Sequence, residues 1–412
     1  MHHFSFKIAH PHLFQQQLLH HFSAAESVVF LNSNSPEKKS YFAVANRHQC
    51  LKNEWQFGFI SYDYKNNIEQ LSSNHEDHIA FPEKHFFTPE WLFVLCKNEV
   101  TVYYDDIHDK STIVQLVNDI KNVVTPPIEH SISIPIKSKM DKSTYLEKVA
   151  ALKQHIQLGD IYEVNFCQEF FAENVTINPI NYYLLLNKKS PTPFSCFVKH
   201  HDKYLLCASP ERFIQKNGSN IISQPIKGTI KRGLTTKEDE HLKQQLITDK
   251  KERSENIMIV DLVRNDLSKI AKKNTVEVDE LCGIYTFPQV HQMISTIKAK
   301  LQDNTTFDDI IKALFPMGSM TGAPKISAMQ LIEKYETTKR GLYSGSVGYI
   351  NSEGDFDFNV VIRSLAYNSQ SGYLSFMVGG AITALSDPEK EYEECLLKAK
   401  AMMEVLQPTI VT

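Results

Sequence analysis

An amine and a carboxyl placed close together open the chemical reading of this chain. Lys227 lies in Ser223-Gln224-Pro225-Ile226-Lys227-Gly228-Thr229, at a strand-to-turn junction sixteen positions after Glu211 in Ser209-Pro210-Glu211-Arg212-Phe213. Held on neighbouring strands, such a pair suits covalent displacement of a hydroxyl, the amine attacking and the carboxyl protonating the leaving group. A lysine beside a turn also serves as a solvated charge at a sheet edge, and a Glu after Pro also sits on surfaces. Spacing alone keeps both readings open.

Four more carboxylates are paired by helical spacing. Glu252 and Glu255, leading into Asn256-Ile257-Met258-Ile259-Val260-Asp261, share one helical face, and the same i,i+3 spacing recurs at Glu391 and Glu394. Two helices that each offer two acids can supply hard oxygen ligands to Mg²⁺ together with an anionic substrate, or can simply present solvated faces. The second helix is expected to open with a capping box at Ser386-Asp387-Pro388-Glu389 and to bury Tyr392, Cys395, Leu396, Ala399, Met402 and Leu406.

Small residues mark two further segments. Gly318-Ser319-Met320-Thr321-Gly322-Ala323-Pro324-Lys325 precedes an apolar helix, where backbone N–H groups can approach an anion or merely make a tight connection. Its glycine spacing is not that of a phosphate-cradling nucleotide loop. Val378-Gly379-Gly380-Ala381-Ile382 ends a strand with bare backbone that suits a carboxylate or close sheet packing. Arg363, in the apolar run Val360-Val361-Ile362, requires an anion or a buried partner.

These groups need a scaffold, and the spacing of apolar runs outlines one. Residues 1–125 read as short aromatic and β-branched strands such as 27–31, 91–95 and 100–104, and 126–140 as a linker-like stretch. From 141 to 412 the pattern predicts a helix over 141–158, strands around 161–172 and 193–230, and a long helix near 238–272. A helix–glycine turn–helix block over 306–337 follows, then strand runs at 342–350, 355–367 and 373–382. Short polar turns such as Asn351-Ser352-Glu353-Gly354 indicate antiparallel pairing. The fold class expected is α+β, with large antiparallel β-sheets in a two-layer sandwich flanked by helices.

With 412 residues, 42% hydrophobic, and a net charge of −4, the chain can bury a large core and has no general attraction to nucleic acid or anionic membranes. No run reaches the length needed to span a bilayer and no apolar leader is evident, so a cytoplasmic location is expected. Seven cysteines without a Cys-x-x-Cys pair fit free thiols.

Taken together, Pro225-Ile226-Lys227-Gly228-Thr229, Glu255 to Asp266, Thr321-Gly322-Ala323-Pro324-Lys325, Gly345-Ser346-Val347-Gly348-Tyr349 and Val361-Ile362-Arg363-Ser364 resemble the chorismate-utilising enzymes. Lys227 points to the branch that aminates chorismate on the way to para-aminobenzoate, because anthranilate-forming members carry alanine there. The resemblance implies that Lys227 attacks C2 of chorismate while Glu211 assists departure of the C4 hydroxyl, and that ammonia then displaces the enzyme amine at C4. An attacking amine must be unprotonated, so burial or the neighbouring Lys231 and Arg232 are expected to lower the Lys227 pKa.

By the same resemblance Mg²⁺ falls to Glu255 and Glu394 with Glu252 and Glu391 in support. Gly228, Thr229, Thr321, Tyr343, Arg363, Gly379, Gly380 and Ala381 line the substrate, and His291 matches an active-site histidine. Alone, His291 reads equally as a hydrogen-bonded core residue. Two positions depart from the family pattern: Glu163, where lysine marks the water-using members and glutamine most ammonia-using ones, and Ala381, where a third glycine is commoner. No region carries the Cys, His and Glu set of a glutaminase, so a separate glutamine amidotransferase subunit is the expected ammonia source. Anthranilate synthesis, chorismate binding without turnover, and Mg²⁺-dependent phosphoryl transfer stand as alternatives.

Overall fold

The computed structural model describes residues 2–46, 54–104, 108–128, 133–288 and 290–406. Cys50 and residues 129–132 of the linker-like stretch lie outside them. Among the described residues, twelve strands form one sheet and nine another, and the paired strands run antiparallel. Strands from before residue 126 hydrogen-bond within the same two sheets as strands from after 141; Ser27–Asn32 pairs with Phe194–His200, and Gln56–Ile60 with Ser346–Ile350.

Both faces of the larger sheet are covered, which is why its strands read as continuous apolar runs instead of clean alternation. In Ser27–Asn32, Val29 joins Val198 and Leu205 against Phe57, Phe59 and Val347 of the second sheet. Val28 and Phe30 point the other way, into a layer closed by Phe14, Leu18, Leu186 and Met402 from helices. The second sheet is backed by Ile259, Val260 and Val263 of a helix. The expected sandwich with flanking helices is the observed architecture.

Seven elements carry the residues of chemical interest: β1 (Glu163–Ala172), β2 (Ile226–Lys231), α1 (Thr236–Thr248), α2 (Lys250–Ser268), β3 (Val290–Lys300), β4 (Tyr373–Ile382) and α3 (Pro388–Leu406). The single helix expected near 238–272 is two, because Asp249 leaves helical geometry and its side chain accepts the Glu252 N–H at 3.0 Å. That side-chain cap ends one helix and begins the next. At α3 the cap is Asp387, which accepts the Lys390 N–H at 3.1 Å; Ser386 instead accepts the Thr383 N–H. Leu396, expected in the buried stripe of α3, is 39% exposed, whereas Cys395, Ala399, Met402 and Leu406 are buried.

The apolar run 355–367 is likewise not one strand. Phe356–Asn359 belongs to the second sheet and Ser364–Asn368 to the first, and Val360–Arg363 crosses between them. Arg363 takes a left-handed φ of 51° at this crossing.

One edge of β1 lacks a full neighbouring strand. Gly322–Ala323 pairs with Glu163 and Val164, and the Thr321 carbonyl accepts the Asn165 N–H. Beyond that point Glu336 and Arg340 substitute for a strand. Glu336 accepts the Cys167 N–H at 2.9 Å, and Arg340 donates to the Asn165 carbonyl at 2.8 Å, the Met320 carbonyl at 2.7 Å, Ser344 and both Glu336 oxygens. All five guanidinium N–H donors are therefore used, and the guanidinium carbon stacks 4.5 Å from the Tyr62 ring centroid. Removing either member leaves a buried charge unpaired, so Arg340→Met and Glu336→Gln are each expected to lower unfolding free energy by about 3–5 kcal/mol, read from urea midpoints at constant m.

Candidate active site

Lys227 reaches the interior through a β-bulge. In the pairing of β2 with β3, Ile226 faces Ile294 and Thr229 faces Gln292, so Lys227 and Gly228 occupy the space of one residue. A bulge of this kind re-aims a side chain. Gly228 adopts φ 91°, a conformation that a side chain strains, and a Cβ there would lie 3.2 Å from Glu252 Oε2. The Lys227 side chain is consequently 11% exposed, with Nζ 3.0 Å from Glu163 Oε1.

Its environment is anionic. Burial alone would lower the Lys227 pKa, but the carboxylates of Glu163, Glu255 and Glu211 outweigh it and hold the amine at about 12. The expected lowering is therefore reversed in this structure. Lys231 is exposed, and Arg232 is committed to Asp239 through two hydrogen bonds of 2.8 and 2.7 Å, so neither repels the amine's proton.

Glu211 lies within electrostatic reach of the Lys227 amine. It is buried, accepts a 2.7 Å hydrogen bond from Ser319 Oγ, and feels both Lys227 and Arg363. Burial pushes its pKa up to about 7, against the opposing effects of Ser319, the Ile226 N–H and the two cations. A carboxyl poised there can hold a proton to donate near neutrality. Ser319 was not singled out in the sequence; a serine three residues before Gly322 carries no signal until the turn brings it onto Glu211.

The acids of α2 and α3 converge. Lys251 Nζ lies 3.7 Å from Glu255 Oε1 and 3.0 Å from Glu391 Oε1, so one ammonium is shared between carboxylates of two helices. Glu394 pairs with Lys398 at 2.8 Å. Glu255 is buried and its pKa rises to about 7, while Glu255 Oε1 has no hydrogen bond. Glu252 is raised as well, by burial and then by the charge of Glu394. Among the described residues, no three His, Cys, Asp or Glu side chains form a ready metal cluster. Lysines currently neutralise a set of hard oxygens that a divalent cation also suits.

The remaining residues divide. The Arg363 guanidinium, lowered in pKa by burial, has no hydrogen bond or ion pair among the described residues, and Glu211 is the charge that opposes the lowering. Tyr343 is buried with its hydroxyl 3.8 Å from Cys167 Sγ. Gly379 packs so closely that a Cβ would lie 2.3 Å from the Phe166 carbonyl oxygen, whereas a Cβ on Gly380 would sit 3.5 Å from Glu391 Oε2 and 3.9 Å from Glu394 Oε1. Ala381, paired with Asn165 across β4 and β1, is buried. Thr321 spends its hydroxyl on the Met317 carbonyl at 3.2 Å. Thr229 follows the bulge on β2. His291 has both ring nitrogens bonded, to Thr286 Oγ1 and Asp239 Oδ1 at 2.9 Å each, beside β2.

The family model described as chorismate binding enzyme matches residues 5–404. The chain belongs to the chorismate-binding enzyme family. It is 35% identical to the anthranilate synthase component I-like protein of Synechocystis over 92% of this chain and 78% of that protein. Aminodeoxychorismate synthase component 1 of Bacillus subtilis is 32% identical over 85% of this chain and 76% of the relative. Anthranilate synthase component I of Streptococcus pneumoniae superposes with a TM-score of 0.76 at 27% identity, covering 92% of both chains.

The raised Glu211 pKa has a thermodynamic sign. Between the unfolded value near 4.5 and the folded value near 7, the native state holds a proton that the unfolded state has lost, so stability falls as pH rises. Glu211→Gln removes that loss. The variant is expected to match the native protein below pH 4.5 and to exceed it by about 3 kcal/mol above pH 7, measured by urea unfolding at both pH values.

Proposed function

We propose that the chain is the chorismate-aminating component I of an aminodeoxychorismate synthase, forming 4-amino-4-deoxychorismate from chorismate and ammonia. The observation that carries this reading is a buried lysine amine held among acids in a chorismate-binding fold, at the position where anthranilate-forming members carry no amine. Relatives named aminodeoxychorismate synthase component 1 support it, and that name itself denotes one component of a larger enzyme.

In this proposal Lys227 is the nucleophile at C2 and Glu211 is the acid for the departing C4 hydroxyl. Gly228, which has no side chain, leaves room for the ring beside the amine, with Thr229 next to it. Arg363, a half-buried cation without an ion pair, receives one substrate carboxylate where partial exclusion of water strengthens the pairing. Tyr343 and the backbone of Gly379, Gly380 and Ala381 flank the same carboxylate. Glu255 and Glu394, supported by Glu252 and Glu391, would hold Mg²⁺ in place of the Lys251 ammonium that sits between Glu255 and Glu391. Bound there, Mg²⁺ would supply positive charge to the other substrate carboxylate. His291, bonded through both nitrogens, holds β3 and α1 together beside the nucleophile's strand. Ammonia is supplied by a separate glutamine amidotransferase.

The test is amination of chorismate by the purified chain with Mg²⁺ and an ammonium salt. The expected product is one that an added lyase turns into 4-aminobenzoate. Direct formation of anthranilate assigns the chain to the sister activity, which the Synechocystis and Streptococcus relatives favour. Chorismate binding with no turnover assigns it a binding role. Lys227→Ala is expected to cut amination at least ~100-fold while chorismate binding, read by calorimetry, persists.

A further inference from the structure

A protonated lysine cannot attack, and the acids around this amine favour its protonated form. The groups facing Lys227 come from three directions: Glu163 from the start of β1, Glu211 from the turn before its strand, and Glu255 from α2. Glu211 is engaged by Ser319 and by the Ile226 N–H. Glu255 faces Lys251 and the acids of α3. Glu163 has no such second duty. Its side chain is 1% exposed and lies 3.0 Å from Lys227 Nζ, yet neither carboxylate oxygen is aligned with a hydrogen-bond donor. The contact is a short ion pair, and a carboxylate in it has lone pairs that can receive the ammonium proton.

The position is also rigid. Glu163 pairs with Ala323 in the sheet ladder, and its carbonyl oxygen would lie 2.1 Å from a Cβ on Gly322, so only glycine permits the strand to approach. A carboxylate anchored this way can exchange a proton with the amine without rearranging the backbone.

We propose that Glu163 is a catalytic residue that takes a proton from Lys227 to free the attacking amine and returns it when that amine is expelled. The assignment rests on Lys227 being the nucleophile. Proton transfer first gives a neutral amine and a neutral Glu163 carboxyl. The nitrogen lone pair then forms the bond to C2, both ring double bonds shift by one position around C1 and C6 toward C4, and the C4–O bond breaks as Glu211 delivers its proton, releasing water. Ammonia next forms the C4–N bond, both double bonds shift back, and the C2–N bond breaks with its electron pair returning to Lys227. Glu163 reprotonates that amine, and the Glu211 carboxylate takes a proton from the new C4 ammonium. Chorismate and ammonia have become product and water, and every protein group is restored.

The experiment uses the full chain with Mg²⁺, saturating chorismate, and a constant concentration of free ammonia across pH. Glu163→Gln keeps the side-chain volume but accepts no proton. It is expected to lower kcat about 100-fold or more near pH 7.5 with chorismate Kd within about threefold of native, and its log kcat should keep climbing with pH where the native rate is level. Glu163→Asp retains a carboxylate and is expected to lose about tenfold in kcat while keeping a profile of native shape. This second variant carries the test if the first does not fold, and an undiminished kcat in it then overturns the assignment. A Glu163→Gln enzyme with native kcat, or with a reduced kcat and an unchanged pH profile, overturns it as well. Lys227→Ala separates the two levels: amination surviving in that variant sinks the nucleophile reading itself, whereas its loss together with a native-like Glu163→Gln sinks only the role of Glu163.

Discussion

The edge of β1 is completed by an ion pair instead of a strand, and the site depends on that substitution. Arg340 and Glu336 are both buried, and together they satisfy the Asn165 carbonyl, the Cys167 N–H and the Met320 carbonyl. Left unpaired in a dry interior, those backbone groups would each carry a desolvation cost. Because Arg340 grips β1 and the glycine-rich turn at once, it fixes Glu163 and Thr321 relative to each other. The pair of charges is tolerated because every donor of the guanidinium finds an acceptor.

Concentrating acids around one lysine has consequences beyond geometry. Glu163, Glu211 and Glu255 keep the amine charged, and the amine in turn restrains the rise that burial imposes on Glu211 and Glu255. The site thus stores protons in an arrangement that neutral side chains of the same shape would make more stable. Unfavourable burial of titratable groups is common where chemistry is done, because reactive protonation states are seldom the most stable ones. Arg363 belongs to the same pattern: a guanidinium taken out of water, in a left-handed crossing between two sheets, without an ion pair to offset its cost.

The two acid-bearing helices show how such a site stays assembled without its substrate. Lys251 holds Glu255 and Glu391, and Lys398 holds Glu394, so repulsion between α2 and α3 is relieved by amines from the helices themselves. These contacts are exchangeable: Lys251 and Lys398 remain partly exposed and can return to water. Gly380, without a side chain, keeps the strand face beside these acids open.

By itself the sequence determined the fold class, the placement of most helices and strands, and the family. Apolar periodicity reports which faces are buried, and local caps such as Asp141 act within a few residues, so both are written in short stretches of chain. The Asp249 cap is equally local, Asp followed by Glu three positions on, yet the expectation of one helix near 238–272 passed over it. What only the tertiary structure decided concerns groups far apart in the chain. Nothing near Lys227 in sequence foretells that Glu163 and Glu255 surround its amine, and the adjacent Lys231 and Arg232 suggested the opposite sign of pKa shift. The Arg340–Glu336 tie, the Ser319 contact to Glu211, and the sheet crossing at Arg363 were hidden for the same reason. Electrostatic energy depends on distance and on exclusion of water, and neither can be read from spacing along a chain.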